Sequence, residues 1–69
     1  MKIVSEYIKL DSFLKLVSEA GSGGEAKILI SAGLVFVNGE QESRRGRKLR
    51  PGDTVEIEGR CYPVEAEGE

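Results

Sequence analysis

The densest group of chemically active side chains lies between residues 44 and 50, here called the basic segment. It reads Arg-Arg-Gly-Arg-Lys-Leu-Arg, and no acidic residue interrupts it. Its basic members are Arg44, Arg45, Arg47, Lys48 and Arg50. Guanidinium groups bind phosphates through paired hydrogen bonds, and each phosphate contact releases counterions. The segment therefore favours a polyanionic ligand over the alternative, a solvated loop whose charge only maintains solubility.

The charge of the whole chain conceals this patch. The chain has 69 residues and a net charge of −2, yet residues 39–50 carry a net +3 and residues 51–69 a net −5. An acidic total repels polyanions at long range, so binding of a nucleic acid must come from a local surface. The length allows one domain, and we predict that residues 1–69 form it, with residues 65–69 as a frayed acidic tail.

A second candidate contact is the start of a predicted helix at Ser22-Gly23-Gly24. Backbone N–H groups at a helix start, combined with glycines that allow close approach, suit a phosphate. The alternative is a plain capping box, in which Ser22 caps the N–H of Glu25 and the Glu25 carboxylate reaches back to Ser22. Both interpretations stay open from the sequence.

Isolated lysines make up a third candidate set. Lys15 in the first predicted helix and Lys27 in the second could add positive charge to the same surface, and Lys9 less so. The alternative is that all are ordinary exposed lysines. Tyr7 and Tyr62 could stack on bases, but packing is the more common role in a small domain.

The composition argues against an enzyme, a metalloprotein and a membrane protein. The chain has no His, and Cys61 is its one Cys, which we expect to be a buried or half-buried small hydrophobe. We predict no catalytic residues, no metal site and no cofactor. No apolar run approaches the roughly 20 residues of a membrane span, and residues 1–6 lack the apolar core of a signal peptide. A cytoplasmic monomer without a small-molecule substrate is expected.

The predicted elements alternate between strands and two short helices. A strand over 2–8 precedes a helix over 11–20, capped by Asp11 and stopped by Gly21. A second helix over 23–32 stops at Gly33. Four short strands follow, over 34–37, 40–43, 54–58 and 61–64, with turns at Asn38-Gly39, Pro51-Gly52-Asp53 and Gly59-Arg60. The fold class is α+β, with a helix-helix hairpin packed on a small, curved, mainly antiparallel sheet. The predicted core comprises Phe13, Leu14, Val17, Leu29, Val35, Val37, Val55 and Ile57.

Three motifs at these separations resemble a known family. They are Leu10-Asp11-Ser12-Phe13-Leu14-Lys15, then Gly24-Glu25-Ala26-Lys27 leading to Gly33-x-Val35-x-Val37-Asn38-Gly39, then Pro51-Gly52-Asp53-Thr54-Val55. Together they resemble the RNA-binding domain named after small-subunit ribosomal protein four, over residues 8–58. The Gly-Gly-Glu-Ala-Lys and Arg-Arg-Gly-Arg-Lys-Leu runs resemble its small stand-alone YaaA-like branch. The sequence departs from the family at Gly23-Gly24, where many members carry Ser-Arg.

The resemblance implies the fold called the alpha-L motif and binding of structured RNA, ribosomal or transfer RNA, without catalysis. The RNA-binding residues would be Lys15, Ser22, Gly23, Gly24, Lys27, Arg44, Arg45, Arg47, Lys48 and Arg50. One alternative is a protein-interaction adaptor whose basic segment docks an acidic partner. A ubiquitin-like sulfur carrier is disfavoured because residues 66–69 lack Gly-Gly. Duplex-DNA binding is disfavoured because neither helix carries the Arg, Asn or Gln that a recognition helix uses.

Overall fold

A computed structural model describes residues 2–3 and 7–66, with side chains for residues 7–65. Two short helices and eight short strands follow one another along the chain. They are β1 (Lys2–Ile3), β2 (Ile8–Lys9), α1 (Leu10–Leu16), α2 (Gly23–Ser31), β3 (Val35–Val37), β4 (Glu40–Gln41), β5 (Lys48–Leu49), β6 (Thr54–Ile57), β7 (Arg60–Pro63) and β8 (Glu65–Ala66). This is the predicted α+β class, with α1 packed against α2.

The strands form one sheet of four and two separate pairs. The larger sheet has the order β4-β3-β6-β7, and all its pairs are antiparallel. β2 pairs with β5 in antiparallel fashion, and β1 pairs with β8 in parallel. The predicted strand over 2–8 therefore divides into β1 and β2, and its residues 4–6 lie outside the described part of the chain. β5 lies within the basic segment, where the sequence analysis predicted no strand.

Helix α1 is shorter than predicted at its C-terminal end. Ser18 adopts a left-handed φ of 64°, and the Ser18 and Glu19 N–H groups donate to the carbonyls of Lys15 and Leu14. This is the Schellman arrangement, which normally uses glycine at the left-handed position. The predicted stop at Gly21 was wrong, because Ser18 takes that conformation three residues earlier.

Helix α2 and the turns at Asn38-Gly39 and Pro51-Gly52-Asp53 agree with the sequence prediction. Gly33, with φ of 79°, ends α2 in a second Schellman arrangement. Asn38 and Gly39 both have positive φ, 52° and 86°, as a type I′ hairpin requires. The Asn38 amide donates to Asp53 over 3.0 Å and its oxygen accepts from the Thr54 N–H over 2.9 Å. The two turns therefore hold each other in place, which confirms their structural role.

The core lies between the helix pair and the four-stranded sheet. Most of the predicted core residues are buried, but Val17 and Leu29 are only partly buried against it. The strand alternation explains the sheet's share, since Val35, Val37 and their partners on β6 all point inward. The buried set comprises Leu10, Phe13, Leu14, Ala20, Ala26, Ile30, Val35, Val37, Leu49, Val55, Ile57 and Val64.

The C-terminal hairpin corrects two predictions. Its two-residue turn is Glu58-Gly59, with φ of 50° and 85°, one residue earlier than expected. Cys61 is exposed, because it lies opposite Glu56 in the register while Tyr62 faces the core residue Val55. Within the predicted tail, residues 65–66 form β8, and residues 67–69 lie outside the described residues.

Candidate nucleic-acid interface

The basic segment is fastened to the first turn of α1 through the backbone. The Leu10 N–H donates to the Arg47 carbonyl over 2.9 Å, and the Asp11 N–H donates to the Arg45 carbonyl over 3.0 Å. Lys9, rather than Asp11, holds the N-cap position, and its side chain makes no capping hydrogen bond. The predicted position of the cap was therefore wrong, because main-chain carbonyls of the basic segment accept from Leu10 and Asp11. The Asp11 carboxylate does accept from one first-turn donor, the Ser12 N–H, over 2.8 Å. The arginines are consequently held beside α1.

Glu42 is buried just before the basic segment and organises two of its arginines. Only 6% of the residue is exposed. Its carboxylate accepts from the Arg44 Nε over 3.0 Å and from the Arg47 Nη1 over 2.9 Å. It also accepts from the backbone N–H groups of Ser43 and Arg44, each over 3.0 Å. A single carboxylate thus fixes both the path of the chain and two guanidinium groups.

These hydrogen bonds stabilise the ionised form of Glu42. The bond from Arg44 has the largest effect, and with the Arg47 bond it outweighs burial, so the pKa of Glu42 falls from 4.5 to about 2. The same contact raises the pKa of Arg44. The Arg44 side chain nevertheless stays 72% exposed, so its outer face remains accessible while its inner face is held.

Arg45 joins the basic segment to both helices. Its Nε lies 3.3 Å from the Asp11 carboxylate on α1. A Cβ placed on Gly23, the first residue of α2, would lie 3.5 Å from the Arg45 Nη2, so this guanidinium abuts the start of α2. The sequence departs from the family pattern at Gly23-Gly24, and the Arg45 guanidinium lies next to the first of these two glycines.

Lys15 and Lys27 extend the same surface along the two helices. Lys15 is four residues after Asp11 on α1, and Lys27 is four residues after Gly23 on α2. Residues at this spacing lie one turn apart on one helix face, with about 5–6 Å between their Cβ atoms. Both lysines are exposed. The fold therefore brings Lys15, Arg45 and Lys27 to a common side.

The start of α2 combines a side-chain cap with uncapped donors. Ser22 Oγ accepts from the Glu25 N–H over 3.2 Å, as predicted. The Glu25 carboxylate does not reach back to Ser22; it accepts from the Gly21 N–H over 2.6 Å. Within the described residues, the N–H groups of Gly23 and Gly24 have no protein acceptor. Two donors thus remain exposed beside a carboxylate that reduces the positive potential there.

The side chains at the far end of the basic segment form cation–π contacts rather than ion pairs. The Lys48 Nζ lies 4.9 Å from the centre of the Tyr7 ring, and the Arg50 guanidinium carbon lies 5.9 Å from it. In the described part of the chain, no carboxylate forms an ion pair with the side chain of Lys48, Arg50 or Lys9. Tyr7 is therefore a cation–π partner of the basic segment, a role that the sequence prediction missed.

Sequence reasoning also missed the carboxylates that interleave with the arginines. The segment itself contains no acid, but folding brings Glu42 and Asp11 to it. Glu42 is close in sequence and could have been suspected from its spacing to Arg44, whereas the contact between Asp11 and Arg45 spans 34 positions. An open concavity lined by Arg44, Gly46, Arg47 and Lys48 lies beside these ion pairs.

A separate polar cluster holds the end of α1 to β7. The Arg60 guanidinium donates two hydrogen bonds to the Glu19 carboxylate, over 2.7 and 2.8 Å, and the Tyr62 hydroxyl donates a third. Arg60, followed by Tyr62, lowers the pKa of Glu19 from 4.5 to about 2. The contact with Glu19 raises the pKa of Tyr62. Tyr62 therefore packs against the core and takes part in this network. The Arg60 guanidinium is bound to Glu19 and is not part of the basic segment.

Within the described residues, no helix has the length and apolar character needed to cross a bilayer. The same part of the chain contains no group of three or more Cys, Asp and Glu side chains placed to hold a metal ion.

Curated relatives of similar length share this sequence pattern. The chain is 52% identical over 59 residues to RlbA of Bacillus subtilis, named as a probable ribosome maturation protein. This match covers 86% of this chain and 83% of RlbA. It is 38% identical over 60 residues to YbcJ of Escherichia coli, named as a candidate RNA-binding protein, across 87% of this chain and 86% of YbcJ.

A solved structure has the same fold. The 30S ribosomal protein S4e of Thermoplasma acidophilum superposes with a TM-score of 0.65 at 24% identity, over 86% of this chain and 31% of that protein. The S4 domain family matches residues 1–65. That match spans the helix pair, the hairpin and the basic segment whose geometry is described above. The chain belongs to the S4 domain family, as the sequence motifs indicated.

Proposed function

We propose that this chain is a non-enzymatic RNA-binding module that acts as a single domain over residues 1–69 and recognises structured RNA. The observation that carries this proposal is the backbone attachment of the basic segment to α1, which places Arg45 beside the start of α2. Because of it, cations from three elements share one rigid surface. The names of the relatives RlbA and YbcJ support ribosomal or other structured RNA as the ligand class.

The proposed recognition is by phosphate positions and groove shape. RNA helices hide their base edges in a deep major groove, so proteins read their shape and backbone. Lys15, Lys27 and Arg45 would contact one stretch of backbone. The exposed N–H groups of Gly23 and Gly24, with the Ser22 cap behind them, would approach a phosphate closely. The module would act as a monomer without a small-molecule substrate.

Fluorescence anisotropy tests this proposal. The protein is titrated against a folded ribosomal RNA fragment, a single strand and a matched DNA duplex, at low and moderate salt. We expect the folded RNA to bind most tightly. The logarithm of its affinity should fall linearly with the logarithm of the salt concentration, with a slope that corresponds to several phosphate contacts. The double variant Lys15→Gln/Lys27→Gln should bind about tenfold less tightly, since it removes two phosphate contacts.

The matched control is Lys15→Arg/Lys27→Arg, which retains both charges and should keep most of the affinity. Equal or absent binding to all three nucleic acids would overturn the proposal. A salt-sensitive complex with an acidic protein in nuclease-treated lysate would then support the adaptor alternative.

A further inference from the structure

The outward side of the β2–β5 pair gathers positive charge around one aromatic ring. Side chains alternate along a strand, and Ile8 and Leu49 occupy the inward positions of this pair. The outward positions hold Lys9 and Lys48, which lie directly opposite each other in the register. The outward residues Tyr7, Lys9, Lys48 and Arg50 are here called the ladder face.

This arrangement is unfavourable for an isolated domain. Like charges directly opposite each other in an antiparallel pair repel. Lys9 also occupies the N-cap position of α1, where the positive end of the helix dipole disfavours a cation. Within the described residues, no carboxylate forms an ion pair with Lys9, Lys48 or Arg50, although Asp53 attracts Arg50 at longer range. The neighbouring Arg44, Arg45 and Arg47 all have ion-pair partners.

The backbone under these cations is nevertheless held firmly. The Arg50 N–H donates to the Asp53 carboxylate over 2.8 Å, and Leu49 is fully buried. The Tyr7 ring lies beneath the Lys48 and Arg50 head groups. The charges are therefore positioned on a fixed support, and an anion that bridges them would relieve their repulsion.

We propose that the ladder face is a phosphodiester-binding site and supplies most of the salt-dependent affinity for RNA. This inference rests on the proposed function and identifies where the ligand's backbone is held. Lys9 on β2 and Lys48 on β5 would contact the same phosphate. Arg50 would contact the next phosphate along the RNA backbone. Tyr7 is a positioning residue that orients Lys48 and Arg50.

The carboxylate-paired arginines contribute less in this arrangement. Arg44, Arg45 and Arg47 must share or break an ion pair before they can neutralise a phosphate, so each releases fewer counterions on binding. Among the described residues, Lys9 and Lys48 have no such competing carboxylate, and Arg50 has only the longer-range attraction of Asp53. The distinction predicts two different salt dependences for two sets of residues with equal formal charge.

The first test uses tripolyphosphate as a probe and does not depend on RNA. Titration of the isotope-labelled protein, followed by two-dimensional amide NMR, should shift the backbone amides of Lys9, Lys48 and Arg50 most strongly. Shifts confined to residues 21–27 or 44–46, or no shifts at all, would overturn the inference.

The second test compares two triple variants that lose the same charge. Lys9→Gln/Lys48→Gln/Arg50→Gln should lower the slope of log affinity against log salt by about 2 and weaken folded-RNA binding about tenfold or more. Arg44→Gln/Arg45→Gln/Arg47→Gln should change the slope by less than half as much. Circular dichroism and urea unfolding check that both variants are folded, and Lys9→Arg/Lys48→Arg should retain the wild-type slope.

The outcomes separate this inference from the proposed function. If the variant Lys9→Gln/Lys48→Gln/Arg50→Gln binds folded RNA as tightly as the wild type does, the inference is overturned and the proposed function is unaffected. Amide shifts with tripolyphosphate at the ladder face, together with no RNA binding by the wild type, support the site and overturn the proposed function.

Discussion

The two ends of the basic segment have similar sequences and opposite electrostatic surroundings. At one end, Arg44, Arg45 and Arg47 form ion pairs with Glu42 or Asp11. At the other end, Lys48 and Arg50 lie over a tyrosine ring, and their side chains form no ion pair among the described residues. The first arrangement stabilises the fold, whereas the second leaves positive charge available to a ligand. Formal charge along a sequence therefore overstates the charge that a surface presents.

The comparison also separates two demands on one short segment. A guanidinium held by a buried carboxylate has a fixed orientation, because the carboxylate restricts its rotamers and the backbone beside it. An ammonium on an exposed strand keeps its charge uncompensated at a small cost in stability. The substitutions below should therefore have opposite consequences at the two ends, with stability dominant at the first and affinity at the second.

The largest effect is expected from Glu42→Gln, which breaks the paired end. The amide cannot accept the five hydrogen bonds that the carboxylate receives and leaves Arg44 and Arg47 uncompensated. We expect a loss of about 2 kcal/mol in the free energy of unfolding. Urea denaturation followed by circular dichroism measures it.

Glu40→Gln is the matched control, because it removes the same charge from an exposed residue on β4 nearby. Its effect should stay within about 0.5 kcal/mol. Equal effects of the two substitutions would show that Glu42 does not organise the segment.

The pH dependence of stability should expose the same carboxylate. The pKa of Glu42 is about 2 in the folded protein, below its ordinary value of 4.5, and Glu19 behaves likewise. A lowered pKa stabilises the fold above pH 4.5, and this contribution is lost as the pH falls from about 4.5 through 2. We expect wild-type unfolding free energy to decline across that window.

Glu42→Gln should decline less steeply there, because one of the two groups has been removed. The stability difference between the variant and the wild type should accordingly shrink as acid is added. A constant difference from neutral pH to pH 2 would contradict the assignment of a low pKa to Glu42.

A smaller and opposite effect on affinity is expected from Asp11→Asn. Asp11 pairs with Arg45 on the side that also holds Lys15, so its removal should free one guanidinium for phosphate. We expect folded-RNA affinity to rise about threefold at low salt, with a steeper salt dependence. Anisotropy titrations at several salt concentrations measure both quantities.

Glu40→Gln serves as the comparison, since it removes an exposed carboxylate on β4 that pairs with no arginine in the described residues. A rise in affinity of the same size would assign the effect to net charge, and unchanged affinity after Asp11→Asn would show that Arg45 is not at the interface.

Much of the fold could be predicted because local chemistry decides it. Gly33, Asn38-Gly39 and Pro51-Gly52 have strong conformational preferences, and alternating apolar residues fix the faces of β3 and β6. The end of α1 could not, because Ser18 adopts a left-handed conformation that serine rarely favours and only the surrounding packing enforces. Cys61 was misplaced because the expectation rested on the usual burial of cysteine, whereas the strand register places Cys61 opposite Glu56 and Tyr62 opposite the core residue Val55.

The candidate site was predictable in composition and not in electrostatics. Spacing alone identified the five cations of the basic segment. Their pairing depends on contacts such as Arg45 with Asp11, across 34 positions, that exist only after folding. The cross-strand contact of Lys9 with Lys48 has the same origin, since it requires the β2–β5 register.

The smallest effect should come from Lys9→Gln, which relieves the unpaired end. It removes repulsion from Lys48 across the strand pair and a cation from the N-cap of α1, while leaving the contact of Lys48 with Tyr7 intact. The free energy of unfolding should rise by about 0.5 kcal/mol at low salt and less at high salt, where screening already weakens the repulsion. Lys27→Gln, which removes an exposed lysine with no opposing cation in the described strands, should change stability little. If both substitutions stabilise the protein equally, the gain belongs to net charge and the β2–β5 pair carries no local repulsion. If Lys9→Gln alone stabilises the protein, Lys9 weakens the fold locally, at a surface where a bound phosphate would compensate its charge.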